Sequence, residues 1–271
     1  MRRRNKMLKT EMRNPLTMNF DKMSTKEMVS IMTEENANAV RAVEAASDSI
    51  AKAIDMVAEA FANGNRLFFI GAGTSGRLGV LDASECPPTF GVSPEMVQGI
   101  IAGGKECMFR AAENAEDLSL NGRADVISYG VHAGDVLVGI SVAGNAAYVK
   151  EALHTARELG AHTVALTCNS EAQISEFADI SIVTDTGAEV VTGSTRLKAG
   201  TAHKMVLNML TTCAMTKIGN VYENLMINLR PTNDKLRDRT IRIVQEILGC
   251  TREEAIARLE ANEWSIRRAV Q

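Results

Sequence analysis

At Arg66-Leu67-Phe68-Phe69-Ile70-Gly71-Ala72-Gly73-Thr74-Ser75-Gly76-Arg77 a short apolar run breaks into a glycine-rich turn. Five such residues suit a buried strand, and the turn then opens a helix. Upstream, Val40, Val43, Ala46, Ile50, Ile54, Val57 and Phe61 recur at spacings of three and four. This predicts one amphipathic helix over residues 39–62, closed by Gly64. Downstream, residues 96–102, 135–141, 163–167 and 180–184 read as four more buried strands. Helical stretches are expected near residues 105–116, 146–159 and 171–177, with a long helix over 196–217. Strands alternating with helices predict an α/β fold with a five-stranded parallel sheet covered on both faces.

The flanks differ. Residues 1–21 lack periodicity and read as an arm, followed by Ser24 as a helix N-cap. Beyond Arg230-Pro231-Thr232-Asn233 the pattern turns wholly helical, with pieces at residues 238–248, 251–260 and 264–270. Thr251 and Glu254 stand at capping-box spacing. The expected organisation is an N-terminal arm and helix (1–38), a main α/β domain (39–230) and a C-terminal helical module (234–271).

Of 271 residues, 45% are hydrophobic and 23% charged, enough for an ordinary globular core. Thirty basic against 33 acidic residues leave a net charge of −3, no field for nucleic acid and no polybasic membrane patch. Aromatics at 4% argue against a base-stacking surface. The apolar runs are too short to span a bilayer, and Met1-Arg2-Arg3-Arg4 is followed by no apolar region. The five cysteines are widely spaced without a C-x-x-C pair, which disfavours a disulfide framework or zinc ribbon and fits a reducing cytoplasm. His132, His154, His162 and His203 form no metal pattern, so no metal or other cofactor is expected; only His203, at the head of the long helix, is a candidate for the site.

Ligands of open parallel sheets bind at the carboxyl ends of the strands, where loops meet helix N-termini. Thr74, Ser75 and Arg77 in the first such loop suit a phosphate monoester. Gly71, Gly73 and Gly76 also match the dinucleotide fingerprint, but no acidic residue closes a second strand, and no Walker lysine follows. A plain strand-to-helix turn is the remaining alternative. Glu85, in Asp82-Ala83-Ser84-Glu85-Cys86-Pro87-Pro88, is expected at a helix end close to the same mouth, because two prolines follow it. Glu116, in Glu113-Asn114-Ala115-Glu116-Asp117, is the second carboxylate. Two carboxylates beside one sugar phosphate can divide acid and base roles. Ser84, Ser141, Asn145, Ser194 and Lys198 complete the candidate binding set, the last two at the head of the long helix.

The stretch Gly71-Ala72-Gly73-Thr74-Ser75-Gly76-Arg77-Leu78-Gly79, then Leu81-Asp82-Ala83-Ser84-Glu85-Cys86-Pro87-Pro88-Thr89-Phe90-Gly91, resembles the N-acetylmuramic acid 6-phosphate etherases. These belong to the sugar-isomerase (SIS) superfamily, with the glucokinase regulatory protein a distant relative. The likeness extends from Thr10-Glu11-Met12-Arg13-Asn14-Pro15 through Gly187-Ala188-Glu189-Val190-Val191-Thr192-Gly193-Ser194-Thr195 to Thr232-Asn233-Asp234-Lys235-Leu236, nearly the whole chain. The resemblance implies a three-layer SIS sandwich, a cytoplasmic homodimer and a C-terminal three-helix module like a ubiquitin-associated domain. It implies metal-free cleavage of the D-lactyl ether of N-acetylmuramic acid 6-phosphate, a hexosamine 6-phosphate, to N-acetylglucosamine 6-phosphate and D-lactate. In it Glu85 would protonate the leaving lactate oxygen and Glu116 would take the C2 proton of the open-chain aldehyde.

The sequence departs from the family at two places. Where the family usually reads Ser-Gly-Arg-Thr-Pro-Tyr, this chain has Ala143-Gly144-Asn145-Ala146-Ala147-Tyr148. Each hydrogen bond to a charged phosphate lost there is worth roughly 1.5–3 kcal/mol. The chain also stops at Gln271, short of the family's usual end, so a last helical segment is expected to be missing. The altered loop motivates two competing expectations, a non-catalytic sugar-phosphate sensor and an etherase-like enzyme of shifted substrate.

Overall fold

The computed structural model describes residues 8–110, 112, 114–229, 231 and 233–270. Five parallel strands, β1 (Leu67–Gly71), β2 (Val97–Ile101), β3 (Val136–Ile140), β4 (His162–Thr167) and β5 (Ile180–Val183), form the central sheet in the order β2-β1-β3-β4-β5. Gly71 pairs with both Ile101 and Ile140, so the carboxyl ends of the three strands lie level and form one rim.

Alternation along each strand builds two cores. Leu67 and Phe69, with Val136, Val138, Val164 and Leu166, face α1 (Thr25–Ala45), α2 (Ser47–Ala62) and α6 (Lys198–Lys217). Phe68, Ile70, Leu137 and Ala165 face α4 (Ser119–Ser128) and α5 (Ala147–Glu158). Leu67 to Ile70 are fully buried, each burial stabilising by about 1.5–3 kcal/mol. The result is a three-layer α/β arrangement with helices on both faces. A third cluster joins Ile227 and Leu229 to α7 (Asp234–Leu248), α8 (Arg252–Ala261) and α9 (Ile266–Ala269), with Trp264 packed on it beneath the Arg237 guanidinium, 4.2 Å away.

Four details differ from the sequence expectation. The helix expected over residues 39–62 is two, α1 and α2, meeting at Ala46, whose N–H donates to Val43. The apolar spacing runs through this break, which is why periodicity alone merges them. The helix expected over 105–116 is instead two short turns, Lys105–Met108 and Ala115–Asp117. Arg77 donates to the carbonyls of Met108 and Arg110 in that stretch, and Asn114 takes a left-handed φ of 61°. Glu113 of the acidic cluster lies outside the described residues. Helix α4, where the sequence reading placed no element, follows as the third difference.

The fourth difference concerns α3 (Gly73–Phe90), which runs straight through Pro87 and Pro88. It ends at Gly91, whose φ of 67° closes it; a Cβ there would stand 1.9 Å from the Asn228 carbonyl oxygen. Glu85 therefore lies in the far half of the helix, roughly 18 Å along the axis from Gly73. The expected proximity to the ligand mouth does not hold within one chain.

Candidate active site

The rim of the sheet carries a cavity of about 410 Å³, bounded by Thr74, Ser75, Glu116, Ser141, Asn145 and His203 among others. Helix α3 begins in it. The residue at its N-cap is Ala72, in extended conformation (φ −109°, ψ 152°), and no side chain accepts from its first N–H groups. The Ser75 and Gly76 N–H groups donate to the Ala72 carbonyl, but alanine is a poor N-cap, so the Gly73 and Thr74 N–H groups and the positive end of the helix dipole stay open to a ligand. The fit of this helix against the sheet depends on Gly76, where a Cβ would lie 2.5 Å from the Gly71 carbonyl oxygen and 2.7 Å from Ile101 Cγ1.

Helix α5 also begins at the cavity, with Ala146 at its N-cap and no capping side chain. The loop leading to it is braced from behind. Ser141 Oγ accepts from Gly144 N–H (3.1 Å), while Asn169 donates to the Ala143 carbonyl (3.2 Å) and Cys168 N–H to the Val142 carbonyl (2.9 Å). The backbone at 142–144 thus holds its shape without the serine, arginine and threonine of the usual family loop.

The head of α6 is different. Glu189 accepts from Ala199 N–H (2.9 Å) and Lys198 N–H (3.3 Å), so a carboxylate of the chain itself already occupies that helix terminus. Burial holds the Glu189 carboxyl above its ordinary range, opposed by these two hydrogen bonds. Lys198 is buried and ion-paired with Glu35, which also accepts from Asn14 (2.7 Å). The N-terminal arm is thereby tied to the body, with Lys9 paired to Asp185 and Thr17 donating to the Val190 carbonyl. This anchoring places Leu8 and Glu11 in the cavity wall.

Of the ten residues expected from the sequence, the cavity brings together Thr74, Ser75, Glu116, Ser141 and Asn145. Arg77 is spent on the carbonyls that shape the segment before Glu116, and lines a neighbouring cavity of about 380 Å³ that Glu116 also borders. Glu85 and Ser84 are exposed on α3, the latter donating to the Leu81 carbonyl. Ser194 and Lys198 do not line the cavity; the Glu189 cap explains why the head of α6 offers no open N–H groups. Sequence reasoning missed Leu8, Glu11, Thr195 and Gly200 as cavity residues. Glu11 stands inside the family-like Thr10-Glu11-Met12-Arg13-Asn14-Pro15 stretch, which was the available signal.

His203 is 0% exposed, and burial pushes its pKa down to about 4 against a hydrogen bond with the Thr167 backbone. Its Nε2 is 3.6 Å from Cys168 Sγ, and burial raises that thiol, so the pair is imidazole and thiol and not an ion pair. Among the described residues no group of three His, Cys, Asp or Glu could hold a metal ion, and no helix is long and apolar enough to cross a membrane.

Comparison with known proteins agrees with this geometry. The family model described as the glucokinase regulatory protein N-terminal SIS domain matches residues 49–157, and the SIS domain matches residues 123–213. A phosphoheptose isomerase, GmhA of Neisseria gonorrhoeae, shares the fold at a TM-score of 0.55 and 22% identity, over 71% of this chain and 100% of its own. The N-acetylmuramic acid 6-phosphate etherase of Clostridium beijerinckii is 52% identical over 98% of this chain and 87% of its own length. The protein named N-acetylmuramic acid 6-phosphate etherase 2 in Vibrio cholerae is 51% identical over 97% and 86%. At such identity over nearly its whole length, the chain belongs to the N-acetylmuramic acid 6-phosphate etherase family.

Proposed function

We propose that this lyase cleaves the D-lactyl ether of N-acetylmuramic acid 6-phosphate, releasing D-lactate and N-acetylglucosamine 6-phosphate. The observation that carries the reading is the pair of uncapped helix N-termini, α3 and α5, opening into a cavity that also holds Glu116. Those N–H groups, with the Thr74 and Ser75 hydroxyls and Asn145, hold the phosphate. Glu116, on the border of two adjoining cavities, faces the sugar chain.

In the open-chain aldehyde the C2–H is acidic because its electron pair can delocalise into the carbonyl. Glu116 takes that proton, the pair forms a C2=C3 double bond, and the C3–O bond breaks as an acid protonates the departing lactate oxygen. Water then adds its oxygen at C3 and a proton returns to C2, so the sum is ether plus water to alcohol plus lactate. Glu85 is the acid by resemblance, yet it lies outside its own chain's cavity. The working unit is therefore a homodimer in which Glu85 of the partner subunit completes each site. A second reading rests on Glu11, the other carboxylate in the cavity wall, as the acid within one chain. Asn228, in the segment before α7, packs against Gly91 at the end of α3 and accepts from Arg267 of α9, so the helices α7–α9, similar to a ubiquitin-associated module, buttress α3 through it.

Release of D-lactate from N-acetylmuramic acid 6-phosphate by the purified protein tests the reaction. A protein that binds hexosamine 6-phosphates and releases no lactate would instead be a sensor.

A further inference from the structure

Arg77 has more to give than its structural bonds take. Those to the Met108 and Arg110 carbonyls (3.0 and 3.3 Å) use two of its five N–H groups and neutralise none of its charge. Among the described residues it enters no ion pair. The side chain is partly exposed and reaches from α3 to the segment before Glu116, the two walls of the second cavity, of about 380 Å³. Ala72, Ala102, Ala112 and Ala115 give that cavity a lining of small apolar groups. The first cavity is the reverse. Among its described lining residues there is no lysine or arginine, while Glu11 and Glu116 are both carboxylates. Its anion site is built from helix N–H groups, which suit one anion, and the two carboxylates repel a second.

The substrate read above carries two anions, the phosphate on C6 and the carboxylate of the lactyl group on C3. Resting on that reading, we propose that the second cavity is the lactyl subsite, where the Arg77 guanidinium binds the carboxylate and the alanines receive the methyl group. The planar fork of a guanidinium matches a carboxylate in geometry as well as charge. Glu116 and the start of α3, at Ala72 and Gly73, border both cavities. A substrate lying across them, phosphate in the first and lactyl group in the second, brings C2 to Glu116, because C2 is the neighbour of the ether-bearing C3. Arg77, expected from the sequence to hold phosphate, is then the residue that distinguishes the lactyl ether from the product N-acetylglucosamine 6-phosphate. Once the ether is cleaved the carboxylate belongs to lactate, and this contact no longer retains the amino sugar.

The experiment measures dissociation constants for three sugar alcohols that have no aldehyde and so are not cleaved. They are the alditol of N-acetylmuramic acid 6-phosphate, the same alditol with its lactyl carboxylate converted to the neutral amide, and the alditol of N-acetylglucosamine 6-phosphate. The wild type should bind the acid about 10- to 100-fold more tightly than the amide. Arg77→Gln should bring that ratio close to one, while the lactyl-free alditol, held by its phosphate, keeps most of its affinity. Arg77→Lys, which retains the charge without the fork, should keep part of the preference. The wild type gives a second reading that needs no variant to fold: the Arg77 guanidinium nitrogen resonances should shift with the acid and stay still with the amide. A wild type that does not discriminate acid from amide, or stationary resonances, overturns the assignment. So does an Arg77→Gln protein weakened alike toward all three, which would make Arg77 a phosphate ligand or a brace for the Glu116 segment and nothing more. In each of these cases the functional reading stands as long as the wild type binds the lactyl-free alditol. A wild type that binds none of the three overturns that reading itself, and this inference with it.

Discussion

Glu116 is exposed at the cavity border, so removing its charge should leave the fold untouched and remove only the chemistry. Glu116→Gln should lose about 10²- to 10⁴-fold in lactate release with an unchanged melting temperature, and C2 proton exchange with solvent should fall in step. Exchange persisting at the normal rate would show that another group is the base. Asp82, two turns into the same family-like stretch, behaves oppositely. It is 6% exposed, one of its carboxylate oxygens is unpartnered, and burial raises its pKa against a hydrogen bond from Asn208. Because the folded state holds this proton more tightly than the unfolded one, its contribution to stability falls as pH rises from the ordinary carboxylate value of 3.8 through the raised one. Asp82→Asn should therefore melt a few degrees higher at neutral pH, with the gain vanishing in acid; a gain that persists there would refute the titration. At this scale the sequence was readable where a residue's place follows from its motif, as Thr74, Ser75 and Glu116 do in lining the cavity. It was not readable for Lys198, because its partner Glu35 lies 163 residues away and only the folded chain shows the charge to be spent.

Among the elements, the N-terminus of α3 is where stability and activity pull apart. Ala72 already has the extended dihedrals of an N-cap but no side-chain oxygen to accept from the helix N–H groups. Ala72→Asp should stabilise the unliganded protein by about 0.5–2 kcal/mol by capping the helix. The same carboxylate would occupy the anion site, so phosphate binding and turnover should both collapse. Chemical denaturation beside a binding titration checks the pair; a variant that gains neither stability nor a binding defect would mean these N–H groups are not the site. The buried strands were legible because each is a short apolar run with punctuation at both ends. The segment over 105–116 was not, since Arg77 sequesters its carbonyls from a distance and no local period records that. The prolines of α3 misled for a related reason: packing and the Gly91 closure outweigh a local helix-breaking preference.

In the proposed site the phosphate would lie at one end of α3 and Glu85 stands toward the other, so the whole molecule raises the question of how Glu85 would reach the substrate. The parallel sheet and its helical layers followed from strands alternating with helices along the sequence, whereas the strand order did not, and a site divided between copies leaves no trace in the pattern of one chain. A two-fold dimer makes the division testable, because every interface contact occurs twice. Glu85→Gln and Glu116→Gln should each be inactive alone. If the acid comes from the partner subunit, a mixed dimer carries one site with both defects and one with none. Dissociating equal amounts of the two variants and reassociating them at random gives mixed dimers in half the population, and so about a quarter of the wild-type activity. Should Glu85 act within its own chain, both sites of a mixed dimer keep one defect and mixing restores nothing. An active Glu85→Gln together with an inactive Glu11→Gln would transfer the acid to the N-terminal arm, and the Asn14–Glu35–Lys198 anchor that holds that arm would then bear directly on the chemistry.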